Sequence, residues 1–317
     1  MKRLLWLLFI SLILTPTLSF GQTPRSAAEF YNRGLTRQNS GDIEGAVADF
    51  QKAIELKPRF PEAYNALGTI LMRRNDYDGA IANFSKAIAL EPRNFELYYN
   101  RGVARLAKND YDGAIADFSS AMEITPADAM TYNNRGNARK AKGDAQGAIA
   151  DYNRALELSP RMSEAYYNRG LVRQSTGDVD GAINDFNRAI EINANFSEAF
   201  YSRGMAYKSK GDLKKALSDL NRAIEINPTD PDEFYSRGTV LEAENEMSGA
   251  LADYSHAIEI NPGYALAYIS RGLILLAQGK TVEADQDFAR GFSLDSSLKA
   301  TYENYIREMK RRRAASH

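Results

Sequence analysis

The chain has 317 residues, of which 44% are hydrophobic and 26% charged, with 40 Lys and Arg against 41 Asp and Glu. That is the composition of a folded protein, and the charge balance offers no electrostatic capture of nucleic acid, so no nucleic-acid partner is expected. There are no cysteines and only two histidines, His256 and His317. Disulfides, thiol catalysis and Cys or His metal clusters are thereby excluded, and no metal or cofactor is expected.

Residues 1–26 differ from the rest. Lys2 and Arg3 precede an apolar run from Leu4 to Leu14 interrupted only by Ser11; Thr15-Pro16 follows, and Ser19-Phe20-Gly21 places small residues where a signal peptidase reads. This is the layout of a secretory signal peptide over residues 1–21, with 22–26 as a short linker. The apolar run is shorter than the ~20 residues needed to cross a bilayer. Cleavage near Gly21, with export to a bacterial periplasm or secretion, is the expectation; retention as an uncleaved anchor is the alternative.

From Ala27 a pattern recurs every 34 residues, with units 27–60, 61–94, 95–128, 129–162, 163–196, 197–230, 231–264 and 265–298. A fixed period of this size means stacked helical hairpins, each burying its face against its neighbours. Numbering positions 1–34 within a unit, position 4 is always aromatic (Phe30 to Tyr268), position 8 always Gly (Gly34 to Gly272) and position 20 always Ala (Ala46 to Ala284). Glycine inside a helix costs up to about 1 kcal/mol, so close approach of the second helix, at the facing alanine, is the expected reason for it. Position 15 is Gly or Asn, suited to a left-handed helix end, and position 16 is Asp in six units, suited to cap the second helix. Proline at position 32 is expected to stop that helix, with Ala194 and Ser296 letting two helices run on. The chain thus resembles the tetratricopeptide repeat family over residues 27–298. The resemblance implies an all-α fold, a right-handed superhelical solenoid of helix-turn-helix repeats whose concave face is lined by the first helices.

Ser26-Ala27-Ala28-Glu29 reads as a capping box opening the first helix. Within 299–317, Tyr302, Tyr305, Ile306 and Met309 form one apolar stripe, predicting a C-terminal capping helix over 299–312 followed by a basic tail. Membrane contact is expected only through an uncleaved N-terminus or that tail.

Position 7 is Arg and position 23 Asp in seven units, and the second unit breaks both at once with Leu67 and Asn83. The joint exception predicts that the two positions are structural partners. Position 6 holds Asn32, Asn100, Asn134 and Asn168, with Ser in three other units. A carboxamide can pair with both halves of a peptide bond. The row resembles the asparagine ladder of O-linked N-acetylglucosamine transferases, although no catalytic domain accompanies it. Bonding between adjacent first helices is the competing reading. Position 5 adds Tyr99, Tyr167, Tyr201 and Tyr235, which offer contact area with a polar tip or pack on the next repeat. These eight Asn and Tyr residues define an expected peptide-binding groove, aromatic, amide-rich and weakly charged. With no nucleophile motif and no spare sequence for a second domain, the chain is expected to be a non-enzymatic scaffold for a peptide or protein partner. A self-assembling envelope protein is the alternative, and the oligomeric state is open.

Overall fold

The structure is a computed structural model and describes residues 25–314; the signal-peptide segment 1–21, residues 22–24 of the linker and the last three residues of the tail lie outside this range. Two compact units meet in sequence at Ala104. The first contains α1 (Ala27–Asn39), α2 (Ile43–Leu56), α3 (Pro61–Arg73), α4 (Tyr77–Leu90) and most of α5 (Phe95–Ala107). The second holds the end of α5, then α6 (Tyr111–Ile124), α7 (Ala129–Lys142), α8 (Ala145–Leu158), α9 (Ser163–Ser175), α10 (Val179–Ile192), α11 (Ser197–Ser209), α12 (Leu213–Ile226), α13 (Pro231–Ala243), α14 (Met247–Ile260), α15 (Ala265–Ala277), α16 (Thr281–Leu294) and α17 (Ser297–Ala314). No strand occurs among the described residues.

Within each unit the helix pairs pack in sequence, and the core is a chain of small clusters. In the first unit Ala46 and Phe50 meet Ile70 and Leu67. In the second, Ala148 and Tyr152 meet Val172, Ala216 and Leu220 meet Val240, and Ala250 and Tyr254 meet Ile274. Each cluster joins positions 20 and 24 of one repeat to position 10 of the next, so no repeat completes its core alone.

The turns follow the sequence. All eight position-15 residues have positive φ, from 61° at Asn75 to 89° at Gly177. Asp42, Asp76, Asp110, Asp144, Asp178 and Asp212 each accept a backbone N–H from the first turn of the helix they precede, while Glu246 and Lys280 do not. At the chain start Ser26 Oγ accepts the Glu29 N–H at 3.2 Å, but the Glu29 carboxylate accepts from Arg25 N at 2.8 Å. The second helices do not depend on proline to stop. α10 and α16 end at Ile192 and Leu294, the same position as the others, although Ala194 and Ser296 replace the proline. At both ends the next residue turns to extended φ, −126° at Asn193 and −140° at Asp295, and its N–H closes on the carbonyl four residues back. Stopping belongs to that turn, after which the next helix begins at Ser197 and Ser297.

The invariant glycine accommodates first a ring and behind it the backbone of the facing alanine, whose carbonyl oxygen would lie 3.3 Å from a Cβ on Gly204 (Ala216) or Gly272 (Ala284). A Cβ on Gly34, Gly136 or Gly170 would lie 2.6–2.7 Å from a ring carbon of Phe50, Tyr152 or Phe186, the position-24 aromatic. Where Leu220 replaces that aromatic, the Cβ of Gly204 would find its nearest atoms at 3.2 Å. The last repeat shows a second case: Gly291 replaces alanine at position 27, and the Cδ1 of Ile269 fills the space.

The Arg–Asp pairing forms in six repeats. Arg169 donates to Asp185 in bidentate fashion at 2.9 and 2.6 Å, and Arg33, Arg135, Arg203, Arg237 and Arg271 do the same to Asp49, Asp151, Asp219, Asp253 and Asp287. The aspartates are buried, at 2–6% exposure. Each guanidinium also lies over the ring at position 4 of its own helix, 5.5 Å from the Tyr166 centroid for Arg169. Its remaining nitrogen reaches back to position 25 of the preceding repeat: Arg101 to Ser85, Arg135 to Ser119, Arg169 to Asn153, Arg203 to Asn187, Arg237 to Asn221 and Arg271 to Ser255, at 2.6–3.1 Å. Arg37, Arg139 and Arg173 add a second cation to Asp49, Asp151 and Asp185, and Arg105 donates to Asp117. Inter-repeat pairs also use the bases at the ends of first helices: Arg74 with Glu44, Lys142 with Asp112, and Lys210 with Asp180.

α17 covers the last repeat with Leu298, Tyr302, Ile306 and Met309 against Ile269, Leu276 and Phe288. Tyr305, expected on that face, is 55% exposed, because the helix starts earlier and contact follows the i, i+4 line through Leu298.

Gly136→Ala is expected to lower stability by about 1–3 kcal/mol through overpacking against Tyr152, with Tyr152→Leu recovering much of the loss, while Gly204→Ala stays within about 1 kcal/mol of the parent in urea unfolding. Asp185→Ala strands two arginines and is expected to cost about 3–5 kcal/mol. The pair Arg169→Leu with Asp185→Asn, copying the second repeat, is expected to cost clearly less in the same measurement.

Candidate functional site

The side presented by the first helices is built from positions 2, 5, 6 and 9, and their side chains bond across repeats. Asn100 donates to the Asn65 Oδ1 at 3.2 Å, and Asn168 donates to the Asn133 Oδ1 at 3.3 Å. Further along, the Tyr201 hydroxyl meets Ser236 Oγ at 3.0 Å and the Tyr235 hydroxyl meets Ser270 Oγ at 3.4 Å. One geometric rule covers all four: position 5 of one repeat reaches position 6 of the next. Ser202 and Ser236 are buried by this arrangement, whereas Asn134 and Asn168 are half-buried and Asn32 is exposed.

The tyrosines are wedged between rings. Tyr167 lies 6.0 Å from Phe186 and 4.9 Å from Phe196, and Tyr235 lies 5.5 Å from Tyr254 and 5.1 Å from Tyr264. Tyr31 sits likewise between Phe50 and Phe60. Tyr99 instead stacks on Phe95 of its own helix at 5.9 Å. Burial pushes the hydroxyls of Tyr167, Tyr201 and Tyr235 upward from the ordinary tyrosine value, partly offset by the serine bonds, so they stay neutral donors. Each keeps an apolar flank inside the stack and a polar tip toward the first-helix side.

In the first unit this side opens into a pocket of about 360 Å³ formed by three successive first helices. Tyr31 and Leu35 of α1, Ala66 of α3 and Leu97 of α5 supply its apolar wall; Asn65 and Thr69 add polar groups. Glu62, Glu91 and Glu96 line it too, and no lysine or arginine does. Weak charge was expected here, yet the pocket is acidic. Asn65 donates to Glu96 at 3.3 Å and Asn94 to Glu91 at 2.9 Å, which orients two of the carboxylates. The recurring acids at position 2 carried this signal. Their place at each helix N-terminus also complements the helix dipole.

The second unit continues the pattern with exposed Glu164, Glu198 and Asp232 at position 2, the last accepting a hydrogen bond from the Tyr264 hydroxyl at 2.6 Å. Its cations lie about three turns further along the first helices. Lys208 donates to Thr239 Oγ1 at 2.6 Å, and burial lowers the ammonium pKa of Lys140 and Lys208. The side is therefore acid at helix starts and basic toward helix ends. His256, on a second helix, pairs with Glu259 at the surface and takes no part.

Models of the tetratricopeptide repeat match residues 65–129, residues 34–73 and 136–177, and residues 163–196 and 197–230. No curated protein matches significantly. Among solved structures, a tetratricopeptide repeat protein of Parabacteroides merdae is 18% identical, covers 80% of this chain and 100% of its own, and superposes with a TM-score of 0.63. The C-terminal part of a repeat protein of Cytophaga hutchinsonii is 22% identical over 74% of this chain and 97% of its own, with a TM-score of 0.61. MamA of Desulfovibrio magneticus is 22% identical over 54% and 96%, with a TM-score of 0.52. Tandem helix pairs packed in sequence, the buried Gly-to-ring contacts and the matching repeat models lead to one conclusion: the chain belongs to the tetratricopeptide repeat family.

Proposed function

We propose that this protein is an exported, non-enzymatic scaffold that holds an extended, positively charged segment of a partner protein along the first-helix side. The observation that carries the reading is the first-unit pocket, where Glu62, Glu91 and Glu96 face an apolar wall without a lining cation. A lysine or arginine side chain satisfies both surfaces, its methylenes on Tyr31 and Leu35 and its charge among the carboxylates. Asn32, Asn100, Asn134 and Asn168 supply amide contacts to the backbone of the bound segment. The inter-repeat bonds of Asn100 and Asn168 each use a single N–H, and a carboxamide has a second N–H and a carbonyl to offer. Tyr99, Tyr167, Tyr201 and Tyr235, wedged or stacked, present their edges at little entropic cost. Export rests on the charged start, apolar middle and small-residue exit of residues 1–21.

Fluorescein-labelled peptides of equal length, one basic, one neutral and one acidic, test this against the mature full chain. The basic peptide is expected to bind best, with affinity falling as salt rises. Glu62→Gln with Glu96→Gln is expected to weaken it about tenfold or more, at about 0.5–1.5 kcal/mol for each lost contact. The triple variant Asn100→Ala, Asn134→Ala, Asn168→Ala is expected to weaken all three peptides alike while far-UV circular dichroism is retained. Equal binding of the acidic peptide, or no loss in either variant, would overturn the reading. For export, N-terminal sequencing of the chain recovered from a bacterial periplasmic fraction is expected to begin at Gln22.

A further inference from the structure

Position 3 of the first helix lies at the seam between repeats and is filled by Ala63, Leu97, Thr131, Ala165, Ala199 and Ala267, all fully or almost fully buried. The seventh repeat puts Glu233 there, at 3% exposure. Its Oε1 lies 2.6 Å from Ser197 Oγ at the start of α11, and that same hydroxyl lies 3.2 Å from the carbonyl oxygen of Ala223 in α12. Its Oε2 is buried without a hydrogen-bond partner. Ser197 has one proton and faces two acceptors.

Only a neutral carboxyl resolves that arrangement. With the acid protonated on Oε1, its O–H donates to Ser197 Oγ, whose own O–H donates to the Ala223 carbonyl, and Oε2 is left as an uncharged carbonyl. With the acid ionised, Ser197 must turn to Glu233, and Oε2 carries charge into the seam with nothing to pair it. The charged and titratable groups around it do not help. Glu198 and Tyr201 face it from α11 and Asp230 from the loop before α13, all acidic groups, while α12 contributes the Ala223 carbonyl. The N-terminal dipole of α13 favours an anion, but the bond to Oε1 comes from a hydroxyl and no group reaches Oε2.

We propose that Glu233 makes the joint between the sixth and seventh repeats proton-sensitive, closed tightly when the carboxyl is neutral and loosened when it ionises. Burial, the largest cause, raises this carboxyl above the ordinary glutamate range. The sign follows from that direction. A folded-state pKa above the unfolded one contributes stability that is fully present below the unfolded value and is lost as pH rises through the folded value. The joint is therefore tightest in mild acid. Loosening acts on the first-helix side directly, because the Tyr201–Ser236 contact spans the same two helices.

Carboxyl ¹³C titration of the full chain tests the first half of this, with Glu233 expected to titrate at higher pH than exposed Glu198. Amide exchange corrected for intrinsic rate tests the second. Protection in α13 is expected to fall several-fold across the Glu233 titration in the parent, and to stay level in Glu233→Gln and in Glu233→Ala, which places there the residue of Ala63, Ala165, Ala199 and Ala267. A Glu233 midpoint at or below that of Glu198 would overturn the proposal, as would a parent-like pH profile in both variants. Neither readout needs a ligand, so failure here leaves the proposed function standing, and failure of peptide binding leaves the joint standing.

Discussion

Everything in this architecture hangs on a carboxylate taken out of water. The position-23 aspartate sits on a second helix with almost no solvent contact, and the arginine of the first helix grips both of its oxygens. The third guanidinium nitrogen then crosses to the preceding repeat, as Arg169 does to Asn153, and the flat face rests on the ring at position 4. One arginine thereby ties three helices and two repeats. Buried ion pairs add little net stability over a well-packed apolar substitute, since desolvation cancels much of the attraction. What they add is phase: a hairpin slipped by one turn would leave Asp185 ionised and unpaired. Apolar clusters of Ala, Phe and Leu fit many offsets, whereas this bond fits one.

The second repeat shows the substitute in nature. Leu67 is 6% exposed and packs with Phe50 and Ile70, while Asn83 turns to its own helix and donates to the Gly79 carbonyl at 2.7 Å. Consistent with this, position 25 is Ser or Asn in the six repeats followed by an arginine. It is Gln51 before Leu67 and Ala289 where no repeat follows. The network has been removed there as a set, which is how groups that depend on one another are lost.

Much of this was readable from residues alone, because repetition within one chain works as its own series of variants. The joint loss at Leu67 and Asn83 identified the Arg–Asp partners before any geometry was known, and the Gly or Asn and Asp of each turn gave the caps. Position 25 escaped notice because its partner lies in the next repeat, so the variation has to be compared with an offset of one period. For the glycine the facing alanine accounts for only part of the crowding; the ring that comes nearest lies one helical turn away, and only the Leu220 exception, where the Ala216 carbonyl stays at 3.3 Å, separates the two. Proline was read as a cause of helix ends when α10 and α16 stop without it. Two readings of the Asn and Tyr rows were left open by the sequence, since a half-exposed amide serves a neighbour or a ligand equally well.

The structure makes that opposition too sharp. An amide used once between repeats, as in Asn168 to Asn133, is held in a fixed orientation while keeping bonding capacity in reserve. A tyrosine wedged between Phe186 and Phe196 has lost its rotamer freedom in the folded state, so presenting its edge to a partner costs no further ordering. The same contacts that stack the repeats therefore preorganise the surface they leave exposed. Position 34 decides how far this goes. It is aromatic in the first, fifth and seventh repeats, and there it completes the wedge; in the sixth it is Asp230, which caps α13 and leaves Tyr201 without that second ring, held by its hydroxyl contact with Ser236 and by packing against Ala216, Leu220 and Val240. Tyrosines with and without a flanking position-34 ring thus follow one another along the first-helix side within the second unit, set by a single side chain at the end of each repeat.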